Sequence, residues 1–218
     1  MASAYIVVKL MPAAYQPTGQ SGTKNPSLRK QLRQRRRQLD HFTQRHNAIR
    51  LTHRINRSLT WRGSRRIAFY QAIDGEIDPA GLLKKAWAQG KICYLPVLHP
   101  FHPHRLVFVR VSRHSRLHRN RWGIAEPVPA VGRVASIKSL DLILVPLVGF
   151  DRQGHRLGMG KGFYDRALSF RAGRRFPRLI GLGHMCQESG ETLRPAPWDV
   201  RMDQIATPRW SFGRLWPL

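Results

Sequence analysis

Acidic residues, cysteines and long apolar runs are all scarce in this sequence, and each scarcity removes a class of protein. Cys93 and Cys186 are its only cysteines, too few for a disulfide framework or a zinc ribbon, so a reducing cytoplasm is the expected compartment. No apolar run approaches the roughly 18–20 residues that span a bilayer, and no membrane partner is expected. Residues 1–16 hold one short apolar patch, Tyr5 to Val8, without a basic n-region or a long h-region, so they do not read as a secretory signal. The P-loop spacing, the GxGxxG fingerprint and a nucleophile triad are also missing.

Twelve Asp and Glu stand against thirty-eight Lys and Arg, a formal charge of +26. Such a field attracts nucleic acid or phosphorylated ligands. Residues 24–66 hold fourteen basic residues and one acid, Asp40, while residues 67–218 hold twenty-three and eleven. Composition leaves two readings open: a solvated arginine-rich face, or nucleic-acid contact through phosphates.

What is present describes one domain. A chain of 218 residues with 42% hydrophobic content can bury a full core. Residues 1–24 read as a poorly ordered extension, 25–210 as the folded domain and 211–218 as a C-terminal tail. Pro26 opens a helix with Leu28, Leu32 and Leu39 near one face. A second helix is expected from about Thr43 to Leu59, with Ile49, Thr52, Ile55 and Leu59 as its stripe. From residue 66, short apolar strands alternate with helices, and Leu142 to Pro146 is apolar on both faces, as in a covered sheet. The expected fold is therefore α/β, a largely parallel sheet flanked by helices, with an N-terminal helical segment. His99, His102 and His104 lie on a proline-rich connection with no cysteine or acid near in sequence, which suits solvated histidines better than a metal site. The arginines of 110–121 read as a solvated loop that could also guide an anionic ligand or touch RNA.

Chemistry concentrates after the strongest strand, in Arg156-Leu157-Gly158-Met159-Gly160-Lys161-Gly162-Phe163-Tyr164-Asp165. Alternating glycines let backbone approach a ligand closely. A helix expected over Phe163 to Arg171 would turn its N-terminus toward an anion. Arg156 and Lys161 supply cations, and Asp165 beside a phosphate suits Mg²⁺. As a bare pattern, a glycine-rich turn that merely packs a strand on a helix fits as well.

This ten-residue run closely resembles the signature of 5-formyltetrahydrofolate cyclo-ligase, also called methenyltetrahydrofolate synthetase. Leu28-Arg29, Asp74-Gly75-Glu76-Ile77-Asp78, Tyr94 to Leu98, Trp122 to Pro127, and Trp198-Asp199-Val200 with Asp203 match in order, over roughly residues 25–210. The resemblance implies ATP as co-substrate, Mg²⁺, and a reduced folate as substrate, with polyglutamylated forms included and a monomer expected. It puts Arg156, Leu157, Gly158, Met159, Gly160, Lys161, Gly162, Phe163 and Tyr164 around the ATP phosphates, with Arg156 and Lys161 as the catalytic cations. Arg29 would contact ATP from the first helix. Where the family has a basic residue four positions before it, Asn25 stands here, and the adjacent Lys24 takes that part. Gln71, Glu76, Trp122, Met159 and Phe163 would face the folate, and Asp165 and Asp199 would hold magnesium. The alternative reading is a basic nucleic-acid-binding protein on the same fold.

Overall fold

The computed structural model describes residues 26–99, 101, 102, 104–120, 123–130, 132–171 and 173–213. Lys24, Asn25, Trp122, the expected extension 1–24 and most of the expected tail lie outside them. In chain order the elements are α1 (Pro26–Arg37), α2 (His41–Arg57), α3 (Leu59–Gly63), β1 (Arg66–Ala68), α4 (Ala80–Ala88), β2 (Ile92–Leu98), β3 (Leu106–Val111), β4 (Leu117–Arg119), β5 (Ala125–Pro127) and β6 (Val134–Ala135). They continue with β7 (Leu142–Pro146), β8 (Gly149–Phe150), β9 (Arg156–Leu157), α5 (Phe163–Leu168), β10 (Arg178–Leu182), β11 (Gln204–Ala206) and β12 (Ser211–Gly213). No described helix is long and apolar enough to cross a membrane.

Eight of the described strands form one sheet in the order β12-β11-β10-β7-β1-β2-β3-β6. Neighbours run parallel from β11 through β10, β7 and β1 to β2, and β12, β3 and β6 are antiparallel edges. The α/β architecture with a mostly parallel sheet is as expected. One apolar cluster joins α2, α3 and α4 to one sheet face through Leu51, Ile55, Trp61, Leu82 and Leu144. A second covers the other face through Ile143, Val145, Phe150, Leu168 and Ile205.

Several boundaries differ from the sequence reading, each for a local reason. Asp40 caps α2 by accepting from the Thr43 amide at 2.7 Å, so that helix starts before Thr43. Ser58 is extended (ψ 148°) and its hydroxyl accepts from Trp61, which ends α2 at Arg57 and starts α3. Of the expected stripe, Thr52 and Ile55 are buried, whereas Ile49 and Leu59 are exposed. The helix after the glycines gives way to a 3-10 turn at Ser169, whose hydroxyl bonds back to the Arg166 carbonyl. Residues 211–213 of the expected tail pair with β11. The basic stretch 110–121 ends β3 and contains β4, which forms a two-stranded ribbon with β5. His99 is buried, not solvated, and its Nδ1 accepts from Phe101 at 3.1 Å.

Candidate active site

Strand order reverses between β1 and β7: the chain leaves β1 toward β2 on one side and β7 toward β10 on the other. Open α/β sheets seat ligands beyond the carboxyl ends of strands at such a reversal. Both candidate segments start there. The loop after β1 carries Gln71, partly buried, and Glu76. The chain leaving β7 forms the β8–β9 hairpin and then the glycine run.

The hairpin is a built frame. Asp151 is 2% exposed and accepts from the amides of Gln153, His155 and, across the fold, Leu193 at 2.9 Å. Leu157 is fully buried in a small core with Leu32, Val148 and Leu193, and its carbonyl accepts from Val148 at 2.7 Å. Its side chain therefore serves packing. α1 lies against this frame so closely that a Cβ at Gly149 would collide with Leu32.

The glycine run itself is held at two points. Arg29 donates Nε to the Gly158 carbonyl at 2.9 Å. Arg166 donates Nη2 to the Lys161 carbonyl and Nε to the His104 carbonyl at 3.1 Å. Gly160 (φ 90°) and Gly162 (φ 62°) need the left-handed region that side chains avoid. Met159, Gly160 and Lys161, between the two anchors, are exposed, so backbone and one cation face outward. Phe163 lies 5.6 Å from the Arg166 guanidinium.

Arg156, Tyr164 and Asp165 come together behind the run. Arg156 is nearly buried, its cation is 5.8 Å from the Tyr164 ring centre, and its Nη2 donates to Asp165 Oδ1. Val200 donates to the same oxygen at 3.3 Å, which brings the 199–200 turn against α5. Asp199 accepts from Ala196 at 2.9 Å. The backbone next to Asp199 thus meets the carboxylate of Asp165, the other acid expected to hold magnesium. Among the described residues no three His, Cys, Asp or Glu gather to cage a metal. Magnesium asks for less, since one or two carboxylates plus phosphate oxygens suffice, and this corner fits that donor set. Among the described residues the buried Nε of Arg156 finds no acceptor, an orphaned donor whose chemistry fits a phosphate oxygen.

Glu76 closes the other side. Its side chain is 9% exposed, Oε2 accepts from Ile73 at 3.2 Å, and Oε1 lies 3.7 Å from Arg36 Nη1. Burial pushes its pKa up to about 7 against the pull of Arg36. Burial first, and then the charge of Glu76, raises the phenols of Tyr70 and Tyr164, so both loops share one electrostatic neighbourhood.

Sequence reasoning missed the residue that ties these parts together. Arg36 is completely buried: Nε and Nη2 donate to the carbonyl (2.9 Å) and carboxylate (2.8 Å) of Asp74, and Nη1 donates to the Leu147 carbonyl at 3.2 Å. It links the Glu76 loop to the exit of β7. Arg29, Leu32 and Arg36 fall at i, i+3 and i+7, the spacing of the inward face; an arginine in an apolar register was the available signal. Arg33 and Arg37 also bond Asp74. Partial burial raises that carboxyl, but the hydrogen bonds of Arg33 and Arg37 and the charge of Arg36 outweigh it and hold it below its ordinary value. His184, fully buried, meets the Asn47 amide at 3.1 Å, and Gln187 donates to the carbonyls of Leu147 and Val148. Burial pushes the Cys93 thiol up to about 12, which removes it as a nucleophile.

Residues 21–208 match a model described as the 5-formyltetrahydrofolate cyclo-ligase family. A protein named 5-formyltetrahydrofolate cyclo-ligase from Haemophilus influenzae is 37% identical over 182 residues, covering 84% of this chain and 96% of its own. One of the same name from Escherichia coli is 41% identical over 143 residues, 65% of this chain and 77% of its own. Among solved structures, the 5,10-methenyltetrahydrofolate synthetase of Aquifex aeolicus has a TM-score of 0.72 at 29% identity, over 85% of this chain and 90% of that one.

Proposed function

The chain belongs to the 5-formyltetrahydrofolate cyclo-ligase family, and on that premise we propose that it closes 5-formyltetrahydrofolate to 5,10-methenyltetrahydrofolate with ATP and Mg²⁺. A formamide carbonyl is a weak electrophile and its oxygen a poor leaving group. Transfer of the γ-phosphoryl of ATP to the formyl oxygen releases ADP and makes that oxygen a leaving group. N10 then attacks the formyl carbon and gives up its proton to solvent, the carbon–oxygen bond breaks, and phosphate departs.

Phosphoryl transfer needs positioning and charge more than covalent help. Arg29 and Arg166 hold the glycine run, which frees its outward backbone to approach phosphate. Lys161 contributes an exposed cation on the same run, and Arg156 orients Asp165 while adding charge from behind. Asp165 and Asp199 would hold magnesium, which when bound neutralises phosphate charge. Glu76, balanced near neutrality, can accept from or donate to the ring nitrogens of the reduced pterin. Gln71 joins it on that loop, and Met159 and Phe163 offer apolar surface. Trp122 and Lys24 keep their expected roles, toward the pterin and ATP respectively.

The observation that carries this reading is a doubly anchored glycine run, with Asp165 bonded by the backbone next to Asp199, and a buried Glu76, on the two loops that leave the strand-order reversal. The test is the absorbance of methenyltetrahydrofolate formed from 5-formyltetrahydrofolate. Product should appear only with both ATP and Mg²⁺; none under complete conditions refutes the proposal. A second reading, nucleic-acid contact, is favoured by the exposed arginines of the β4–β5 ribbon, and a salt-sensitive mobility shift with RNA would test it.

A further inference from the structure

The outward face of α2 carries a line of exposed side chains, Phe42, His46, Arg50, His53 and Arg57, spaced by three or four residues. At 1.5 Å of rise per residue the line runs about 22 Å. Arg45 and Ile49 flank it and are also exposed. None of Arg45, Arg50 and Arg57 forms an ion pair among the described residues. The only acid in residues 1–73 is Asp40, and it is engaged at the helix cap by the amide and hydroxyl of Thr43. Where the line starts, Phe42 is 81% exposed and stacks with His46, ring centres 6.3 Å apart and planes 13° from parallel. A second ring stands beside the other half of the helix. Arg54 donates Nη2 to Ser211 Oγ at 3.1 Å, and the adjoining Trp210, 44% exposed, has the Arg209 guanidinium 4.7 Å from its ring centre. This face therefore combines arginines lacking counter-ions with aromatic rings open to solvent.

We propose that this face binds single-stranded nucleic acid, with phosphates on Arg45, Arg50 and Arg57 and bases stacked on Phe42 and Trp210. The counter-charge has to come from outside the molecule. Residues 1–25 hold two lysines and no acid, and a second copy of the chain brings another +26. An anionic membrane surface asks for a broad apolar face. The apolar stripe of α2, with Leu51 and Ile55, is instead turned into the core, and Phe42 and Ile49 are the only apolar residues it exposes. An acidic protein would answer the arginines but leaves the open rings without a part. Unpaired bases answer both, since a strand can lay its backbone along cations and its π-faces on aromatic side chains, with Arg209 adding a cation–π contribution. A duplex keeps its bases stacked inside, so the rings select single strands. The inference goes beyond the cyclo-ligase reading and does not rest on it, because no residue of this face belongs to the candidate active site. It gives nucleic-acid contact a place other than the β4–β5 ribbon.

Fluorescence anisotropy on the full chain tests this, with labelled oligouridylate and oligothymidylate of about twelve nucleotides and a duplex of equal length. The native protein should bind single strands more tightly than the duplex. Phe42→Ala should weaken that binding about tenfold, the loss of one stacked base, while Phe42→Tyr stays near native. Arg50→Gln combined with Arg57→Gln should lower the slope of log affinity against log salt by about 1.4, two phosphate contacts on a single strand. A preference for oligouridylate identifies RNA as the ligand and the reverse DNA, the proposal standing in both cases. Native affinity in the folded Phe42→Ala and double-arginine variants overturns it, and so does a duplex held as tightly as a single strand. Loss of binding only in Arg113→Gln with Arg116→Gln moves the contact to the ribbon and overturns the assignment to α2. Absence of oligonucleotide binding refutes it outright, and Phe42-dependent binding to phosphatidylserine vesicles in that case would make the face a membrane contact. None of these results bears on the cyclo-ligase reading, which the absorbance of methenyltetrahydrofolate judges separately.

Discussion

The first helix and the β4–β5 ribbon are both rich in arginine, yet their arginines have opposite fates. In α1, Arg29 holds the glycine run, and Arg33, Arg36 and Arg37 converge on Asp74. Around the ribbon, Arg110, Arg113, Arg116 and Arg119 are exposed and form no ion pair among the described residues. No acid occurs between Asp78 and Glu126, and Glu126 is engaged by Asn120 and His118. The density of positive charge is thus a poor guide to its use. What separates the regions is one acid, Asp74, which gathers cations from a helix far from it in sequence.

The largest test of that contrast is Arg36→Met. Removing one partner of a buried charge cluster should cost about 3–5 kcal/mol of stability, read by urea denaturation. A loss under 1 kcal/mol would put α1 on the same footing as the ribbon.

Next in size is the pH response of Glu76, on which the α1 network borders. Between about 4.5, its ordinary value, and about 7, the folded protein keeps a proton that the unfolded chain has released. Stability from this group therefore falls as pH rises across that window and is level above it, by about 3 kcal/mol at most. His184 works in the other direction: burial lowers it from 6.5 to about 4, so its contribution rises with pH between those values. The native curve mixes the two, and the difference between Glu76→Gln and native isolates the first. Glu76→Gln should gain on the native protein between pH 5 and 7.5; a flat difference refutes the buried acid.

Lys161 sharpens the comparison further, being exposed like the ribbon arginines but set on the glycine run. Lys161→Ala should lower turnover tenfold or more in a folded variant, whereas unchanged turnover removes it from the site. Smallest is the ribbon itself. Arg113→Gln with Arg116→Gln should alter stability by less than about 0.5 kcal/mol in thermal unfolding, as isolated surface changes do.

The central strands were legible in the letters because burial on both faces leaves a continuous apolar run, as in Leu142 to Val145. The glycine motif was legible too, since left-handed positions such as Gly160 and Gly162 exclude other residues. The break at Ser58 was not, because a hydroxyl that caps the following turn resembles one that merely faces solvent. Leu157 shows a different limit: it stands inside the motif, and only the fold reveals that its side chain fills the core beneath α1. The role of Arg36 escaped for a different reason. A helical arginine reads as solvated until its acceptors, here Asp74 and the Leu147 carbonyl, arrive from elsewhere in the chain.

By itself, then, the sequence determined the alternation of strands and helices, the family signature, and the scarcity of acid that makes the molecule so basic. These are local or compositional properties, and short-range sterics and periodicity express them without reference to the rest of the chain. Only the tertiary structure decided which cations are spent inside the fold, that Asp165 meets the 199–200 turn, and that Glu76 is buried near neutrality. Each of those depends on segments many residues apart, and electrostatic energy follows distance in space, not position along the chain.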